Sequence, residues 1–207
     1  MSVSFDQAKR IADRIVQVLG PHCALIDIAG SVRRRVSVVK DIEVVALPKK
    51  ETKGEDLFGN GEQMLSRDFV EALAGITRLI IKGNVQGRYM QIVLVKCELT
   101  LDLFLPVEED YYRQLAIRTG NAEYSQKVIA QGWRRKGFVG SDHGLRREAD
   151  CIPKRNDKGE IVGWKCIRLD GELPPAWKAE EEFFQWLGVR YIEPQLRDMR
   201  QTINEAQ

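Results

Sequence analysis

Apolar residues recur at helical spacing over Phe5, Ala8, Ala12, Ile15 and Leu19. A Ser4–Gln7 capping-box pattern precedes them and Gly20-Pro21 follows, so the pattern predicts a first helix. Short apolar runs predict strands at 24–29 and 41–47, the second closed by Pro48. The lysine- and glycine-rich stretch 49–61 reads as a loop. Met64, Leu65, Phe69 and Leu73 predict a helix over 62–73. Residues 78–82, 89–96 and 99–105 are rich in β-branched or aromatic side chains and predict three further strands. From Glu108 the texture turns helical, with helices predicted at 109–118, 122–131 and 180–187 around a loop-rich stretch near Asn156-Asp157-Lys158-Gly159.

The pattern therefore predicts an α+β fold: a mixed β-sheet with flanking helices over 1–107, followed by a small, mostly helical unit over 108–207 with a loop-rich or short-strand insertion. A length of 207 residues with 43% hydrophobic and 30% charged positions allows a sizeable core and excludes a membrane protein built of apolar spans. The residues Met1-Ser2-Val3-Ser4-Phe5-Asp6 do not make a secretory signal. Cys23, Cys97, Cys151 and Cys166 are scattered without a C-x-x-C pair and read as reduced thiols of a cytoplasmic protein.

A formal charge of +2 hides a strong pattern. Basic residues cluster at Arg33, Arg34, Arg35 and Lys40, and again at Lys127, Arg134, Arg135, Lys136, Arg146, Arg147, Lys154 and Arg155. Acids collect at Glu180, Glu181 and Glu182. This permits a polyanion partner but equally describes a solvated surface.

In the strand 41–47 a period of two puts Asp41 and Glu43 on one face and Ile42 and Val44 on the other. With β-carbons ~7 Å apart and an effective dielectric of ~20, the two carboxylates repel by roughly 2 kcal/mol, and a divalent cation between them reverses that sign. Taken alone, the pattern also fits a solvent-facing edge. Asp102 shifts the balance, because it interrupts the strand 99–105 opposite the apolar face of Leu99, Leu101, Leu103 and Leu105. An acid in so apolar a strand must be hydrated, paired or metal-bound. If the two strands are neighbours, three acids converge, as in a two-metal site for in-line phosphoryl transfer.

Gly30-Ser31 stands where the first strand ends, so backbone N–H groups there could face an anion. The serine hydroxyl and the forked donors of Arg33, Arg34 and Arg35 add to it. The bland alternative is a surface turn with a basic face.

The order Gly30-Ser31, Arg33-Arg34, Asp41-x-Glu43 and a later Asp102 resembles the nucleotidyltransferase motif of the family X DNA polymerases, the polymerase beta family. Lys82-Gly83 with Arg88-Tyr89-Met90 is similar to the segment before the third acid. Thr119-Gly120 is similar to the T-G turn at the palm-to-thumb junction, and Lys136-Gly137-Phe138 resembles a thumb motif. Glu182 to Gly188 with Tyr191-Ile192-Glu193-Pro194 looks like the last thumb helix and its ending. The resemblance runs to about Arg197.

It implies a nucleotidyltransferase palm over 1–107 and a thumb over 108–207. Asp41, Glu43 and Asp102 would be catalytic and bind two divalent cations, magnesium or manganese, with Asp102 beside the primer 3′ hydroxyl as proton acceptor. Gly30, Ser31, Arg34 and the Lys40 amide would hold the phosphates of an incoming deoxynucleoside triphosphate (dNTP), and Thr119 and Gly120 would border its sugar and base. Lys127, Arg134, Arg135 and Lys136 would meet the duplex backbone of primer-template or gapped DNA.

Departures accompany the match. Glu43 stands where the family usually has aspartate, Ile117 and Arg118 stand at its aromatic pair, and Ser125 and Ile129 at its minor-groove asparagine and arginine. The resemblance leaves no room for a lyase domain, a helix-hairpin-helix domain or a phosphoesterase domain, so no 5′-deoxyribose phosphate lyase activity is expected. The expectation is a monomeric DNA polymerase for short-gap repair, in the cytoplasm or, for a viral chain, the host cytoplasm. Two other readings stay open: a nucleotidyltransferase that extends DNA or RNA ends without a template, and a nucleic-acid-binding scaffold with a decayed metal site.

Overall fold

The computed structural model describes residues 2–53, 62–97 and 99–198. The fold is α+β, and contacts divide it into two compact units, Met1–Thr119 and Gly120–Gln207. No helix among the described residues is long and apolar enough to cross a membrane.

The first unit opens with β1 (Val3–Ser4) and α1 (Phe5–Leu19), capped as the sequence predicts: the Ser4 side chain accepts a hydrogen bond from Gln7 N. Next come β2 (Cys23–Ile28), the single turn α2 (Gly30–Arg33), β3 (Val38–Val39), β4 (Asp41–Pro48), β5 (Lys50–Lys53) and β6 (Glu62–Leu65). Helix α3 (Arg67–Ile76), strands β7 (Thr77–Gly83), β8 (Tyr89–Leu94) and β9 (Thr100–Phe104), and helix α4 (Tyr111–Thr119) complete it.

Five strands form one mixed sheet in the order β2-β4-β9-β8-β7. Strands β4 and β9 are parallel neighbours, and the other pairs are antiparallel. Alternation along β4 and β9 makes two different faces. Ile42, Val44, Leu101 and Leu103 pack against Ala8, Ala12 and Ile15 of α1 and Phe69 and Leu73 of α3. Val45, Leu47 and Phe104 pack against Tyr111 and Leu115 of α4.

Three expectations differ from the structure in this unit. Residues 62–73 are not one helix, because β6 pairs with β5 (Lys50↔Leu65 to Lys53↔Glu62) and the Ser66 side chain then caps α3 by accepting from Phe69 N. The hydrophobic period could not separate a hairpin strand from a helix turn here. Of the expected loop 49–61, residues 50–53 are likewise strand, and 54–61 lie outside the described residues. The compact unit also ends after Thr119 and not after 107, since α4 buries Tyr111 and Leu115 on the sheet.

The second unit begins with α5 (Ala122–Tyr124), a π-helical stretch over Ser125–Ala130 and α6 (Gln131–Arg135). Strands β10 (Phe138–Ser141), β11 (Gly144–Arg147), β12 (Cys151–Arg155) and β13 (Ile161–Cys166) form a sheet in the order β11-β10-β13-β12. Helix α7 (Glu180–Leu187) follows. The expected short-strand insertion is a four-stranded sheet. Pro153 sits on its edge strand β12, where a missing N–H costs no ladder bond.

Trp177 and Phe183 meet edge to face with ring centroids 4.8 Å apart, and Trp177 and Trp186 lie at 5.3 Å. Trp177 is a core residue and Trp186 is half-buried beside it. Glu180 is buried, unlike its neighbours Glu181 and Glu182 in the acidic run. It is 4% exposed and forms a forked ion pair with fully buried Arg197 at 2.6 and 3.0 Å.

Candidate active site

The parallel pairing of β4 with β9 sets Glu43 directly opposite Asp102 and Asp41 opposite Thr100. Asp41, Glu43 and Asp102 therefore share the α4 face of the sheet, while Ile42, Val44, Leu101 and Leu103 fill the other. The neighbouring strands on which the three-acid reading depended are present.

Each carboxylate has a distinct environment. Asp102 Oδ1 accepts a 2.9 Å hydrogen bond from the Tyr89 hydroxyl. Burial, then that bond and the Asp102 charge, push the Tyr89 phenol up to about 12, so it remains a donor. Glu43 is turned toward Gly30: a β-carbon added to Gly30 would lie 1.8 Å from Glu43 Oε2. The backbone bond from Ala29 N to Glu43 O at 2.8 Å holds the end of β2 in that position. Gly30 also has a φ of +60°, so position 30 excludes a side chain on two counts.

The electrostatics are strained in one direction. Burial first, then the Asp102 charge, raises the Asp41 carboxyl above its ordinary range. Burial and the Asp41 charge push Glu43 from 4.5 to about 7, with Arg118 opposing and Asp102 adding to the rise. Arg118 itself is held below its ordinary range by burial, and its guanidinium lies 4.1 Å over the Phe104 ring. Among the described residues, Arg118 Nε is buried with no hydrogen-bond partner.

A stability consequence follows for the protein kept free of metal by chelator. The native state holds a proton at Glu43 that the unfolded chain has released between pH 4.5 and 7, so stability falls as pH rises through this window and is level above it. The difference is roughly 3 kcal/mol. Glu43→Gln is expected to flatten this slope in urea titrations at pH 5, 6, 7 and 8; an unchanged slope would show that the acids do not repel in the fold.

The three acids form a suitable set of hard oxygen donors for magnesium or manganese, and their mutual repulsion is what a cation relieves. They are not drawn into one ligand set, however. Among the described residues no three acid, histidine or cysteine side chains stand close enough together to hold a metal ion. Glu43 lying over Gly30 and Asp102 held by Tyr89 account for this spread.

Beside the acids, α2 carries the residues expected to hold phosphate. The Ser31 hydroxyl oxygen is buried and has no hydrogen-bond partner among the described residues, an orphaned polar atom that costs ~1–3 kcal/mol without a ligand or water. Arg34 Nη1 donates to the Thr119 carbonyl at 2.6 Å, and Arg33 Nη1 donates to Thr119 Oγ1 at 2.7 Å. The basic run is thus fastened to buried Thr119 at the end of α4. Lys40 is exposed, and its charge lowers the Asp41 carboxyl against the effects that raise it.

Gly120 belongs to the second unit, where an added β-carbon would come within 2.6 Å of the Tyr124 ring. Of the residues expected to meet DNA, Arg134, Arg135 and Lys136 are exposed together at the end of α6. Lys127 is exposed but paired with Glu123 at 2.7 Å.

Sequence reasoning assigned no role to Tyr89, and it gave none to Arg118 beyond noting a departure. Tyr89 pairs with Phe104 across β8 and β9, one alternate position from Asp102. An aromatic hydroxyl on the acids' face of the neighbouring strand was the available signal, but it needed the strand register to be read.

Residues 114–198 match the DNA polymerase beta thumb family. This part of the chain is similar to a family X polymerase thumb and supports a DNA-binding, polymerase-like role. No curated protein matches the chain.

Proposed function

We propose that this protein is a metal-dependent DNA polymerase that adds deoxynucleoside monophosphates from dNTPs to a primer 3′ hydroxyl, filling short gaps in DNA repair. The observation that carries this reading is the register that puts Glu43 opposite Asp102 and beside Asp41 on one polar face of an otherwise apolar sheet. The polymerase beta thumb match over 114–198 supplies its nucleic-acid side.

Asp41, Glu43 and Asp102 would hold two divalent cations, which would supply Lewis-acid activation of the attacking hydroxyl and neutralise the triphosphate. Asp102 takes the proton from the primer hydroxyl, and Tyr89 positions its carboxylate. The orphaned Ser31 hydroxyl and the Gly30 backbone meet the outgoing phosphates, with Arg34 and the Lys40 amide adding positive potential there. Thr119, held by Arg33 and Arg34, borders the nucleotide.

The test is primer extension on a one-nucleotide-gapped duplex with each single dNTP, in magnesium and in manganese. Template-matched addition is expected. Addition that ignores the template base would replace this reading with an end-extending transferase, and no addition in either metal would leave a DNA-binding scaffold.

Binding to gapped DNA should rest on phosphate contacts and fall steeply with salt. Replacing Arg134, Arg135 and Lys136 together by alanine is expected to reduce the log–log salt slope by up to ~0.9 per lost contact. Lys127→Ala should change it less, since Glu123 already neutralises that charge. Fluorescence anisotropy between 50 and 200 mM salt, on the order of the usual range, measures both. Equal slopes for the triple variant and the parent would remove the α6 end from the DNA track.

A further inference from the structure

Strands β12 and β13 place Cys151 and Cys166 directly opposite one another in an antiparallel pair. Both are free thiols, 7% and 8% exposed, packed in one cluster with Val139 and Trp164.

The kind of pair can be worked out from the hydrogen bonds around it. Cys166 N donates to Asp142 Oδ1 at 2.9 Å, and Ile167 N donates to Asp150 O at 2.9 Å. In a strand, the N–H and C=O of one residue point to the same side. The Cys166 N–H is committed to Asp142, on the side away from β12, and the ladder bond across β12 and β13 falls one residue on, at Ile167. Cys151 and Cys166 are therefore a non-hydrogen-bonded pair, the closer of the two antiparallel types, with Cα atoms ~4.5 Å apart. That separation lies within the range that a disulfide spans, from ~4.4 to 6.8 Å. The two thiols share one buried cluster, in which the Cys166 thiol donates to the Arg168 carbonyl at 3.3 Å.

We infer that Cys151 and Cys166 are a site of reversible disulfide formation that locks edge strand β12 to β13 when the protein meets a low-molecular-weight disulfide oxidant. The reaction is two thiol–disulfide exchanges. The thiolate of one cysteine attacks the oxidant's S–S bond, forms a mixed disulfide and expels one thiolate. The second cysteine's thiolate then attacks the protein sulfur of the mixed disulfide, forms the Cys151–Cys166 bond and expels the second thiolate. The two cysteines lose two protons and two electrons, and the oxidant is reduced to two thiols.

Burial, followed by the neighbouring Cys166 thiol, pushes Cys151 up to about 11. The thiol therefore stays protonated at neutral pH, and exchange depends on fraying of β12. β12 is an edge strand of its sheet with Ile152 47% exposed, a position from which a strand can fray. None of this depends on the polymerase reading.

The experiment treats the whole protein with oxidised glutathione, alkylates the remaining thiols and maps tryptic peptides without reduction. A linked species of peptides 148–154 and 166–168, reversed by dithiothreitol, is expected. It should come with a rise in thermal midpoint of roughly 5 to 10 °C that Cys166→Ser abolishes. Far-ultraviolet circular dichroism checks that the variant is folded, and Cys151→Ala serves if it is not. Separate glutathione adducts on the two cysteines would overturn the inference, as would a link through Cys23 or Cys97. A 148–154 to 166–168 link without a rise in midpoint would overturn the lock.

Discussion

Asp102→Asn is expected to reduce nucleotide addition by roughly three orders of magnitude while leaving the metal-free fold as stable as the parent or more so. The substitution keeps the shape and leaves an amide oxygen to accept from Tyr89, so it removes charge and little else. On the activity side, a metal-holding carboxylate contributes several kcal/mol of transition-state stabilisation, and each 1.36 kcal/mol is about tenfold in rate. On the stability side, the Asp102 charge raises both Asp41 and Glu43, so removing it relieves repulsion in the metal-free state. Single-turnover extension, with thermal unfolding in chelator, reads both effects. Activity and stability falling together would instead make Asp102 a structural partner of Tyr89 and sink the catalytic assignment. Asp41→Asn should behave similarly, with the smaller stability gain of a half-exposed group.

Much of this site was legible because strand alternation needs no tertiary information. Asp41 and Glu43 share a face by period alone, and Asp102 stands out against Leu101 and Leu103 for the same reason. Their meeting was conditional on β4 and β9 being neighbours, and two strands separated by more than fifty residues do not announce their pairing locally; the resemblance to the family X motif supplied that step. Other features lay beyond either argument. Glu43 lying on Gly30 is a side-chain conformation, and the fastening of Arg33 and Arg34 to Thr119 is a contact 85 or more positions apart in the chain.

The same limits account for the fold. Helix α1 was readable from its cap to Gly20 because stripe, cap and stop agree. The four-stranded sheet of the second unit was not, because its strands are four to six residues long, too short to establish a period, and carry breakers such as Gly140, Pro153 and Gly163 within them. The burial of Glu180 was not legible for a different reason. Nothing in a run of three acids singles out the first, and its buried partner, Arg197, is distant in the chain.

That partner gives the largest stability effect expected outside the acid face. Arg197 is fully buried, and its guanidinium donates to both Glu180 oxygens and, through Nε at 2.8 Å, to the Ile192 carbonyl. The same group lies over the rings of Phe184 at 4.7 Å and Tyr191 at 5.1 Å, and the Arg197 carbonyl accepts from Asn121 N at 3.1 Å. Arg197→Ala leaves a buried carboxylate without its counter-charge, a change that costs about 3–5 kcal/mol. For a chain of this length that is a drop of roughly 6–20 °C in thermal midpoint. Arg197→Lys should recover part of the loss but not all, because an ammonium cannot fork to Glu180, bond Ile192 and stack on two rings at once. The double variant Glu180→Met with Arg197→Met decides the cause. If the penalty is the stranded charge, the double variant is more stable than Arg197→Ala, since apolar side chains of similar volume remove both buried charges together. If the double variant is as unstable as the single, the guanidinium acts chiefly through Ile192 and the rings, and the ion pair contributes little to holding the end of the second unit.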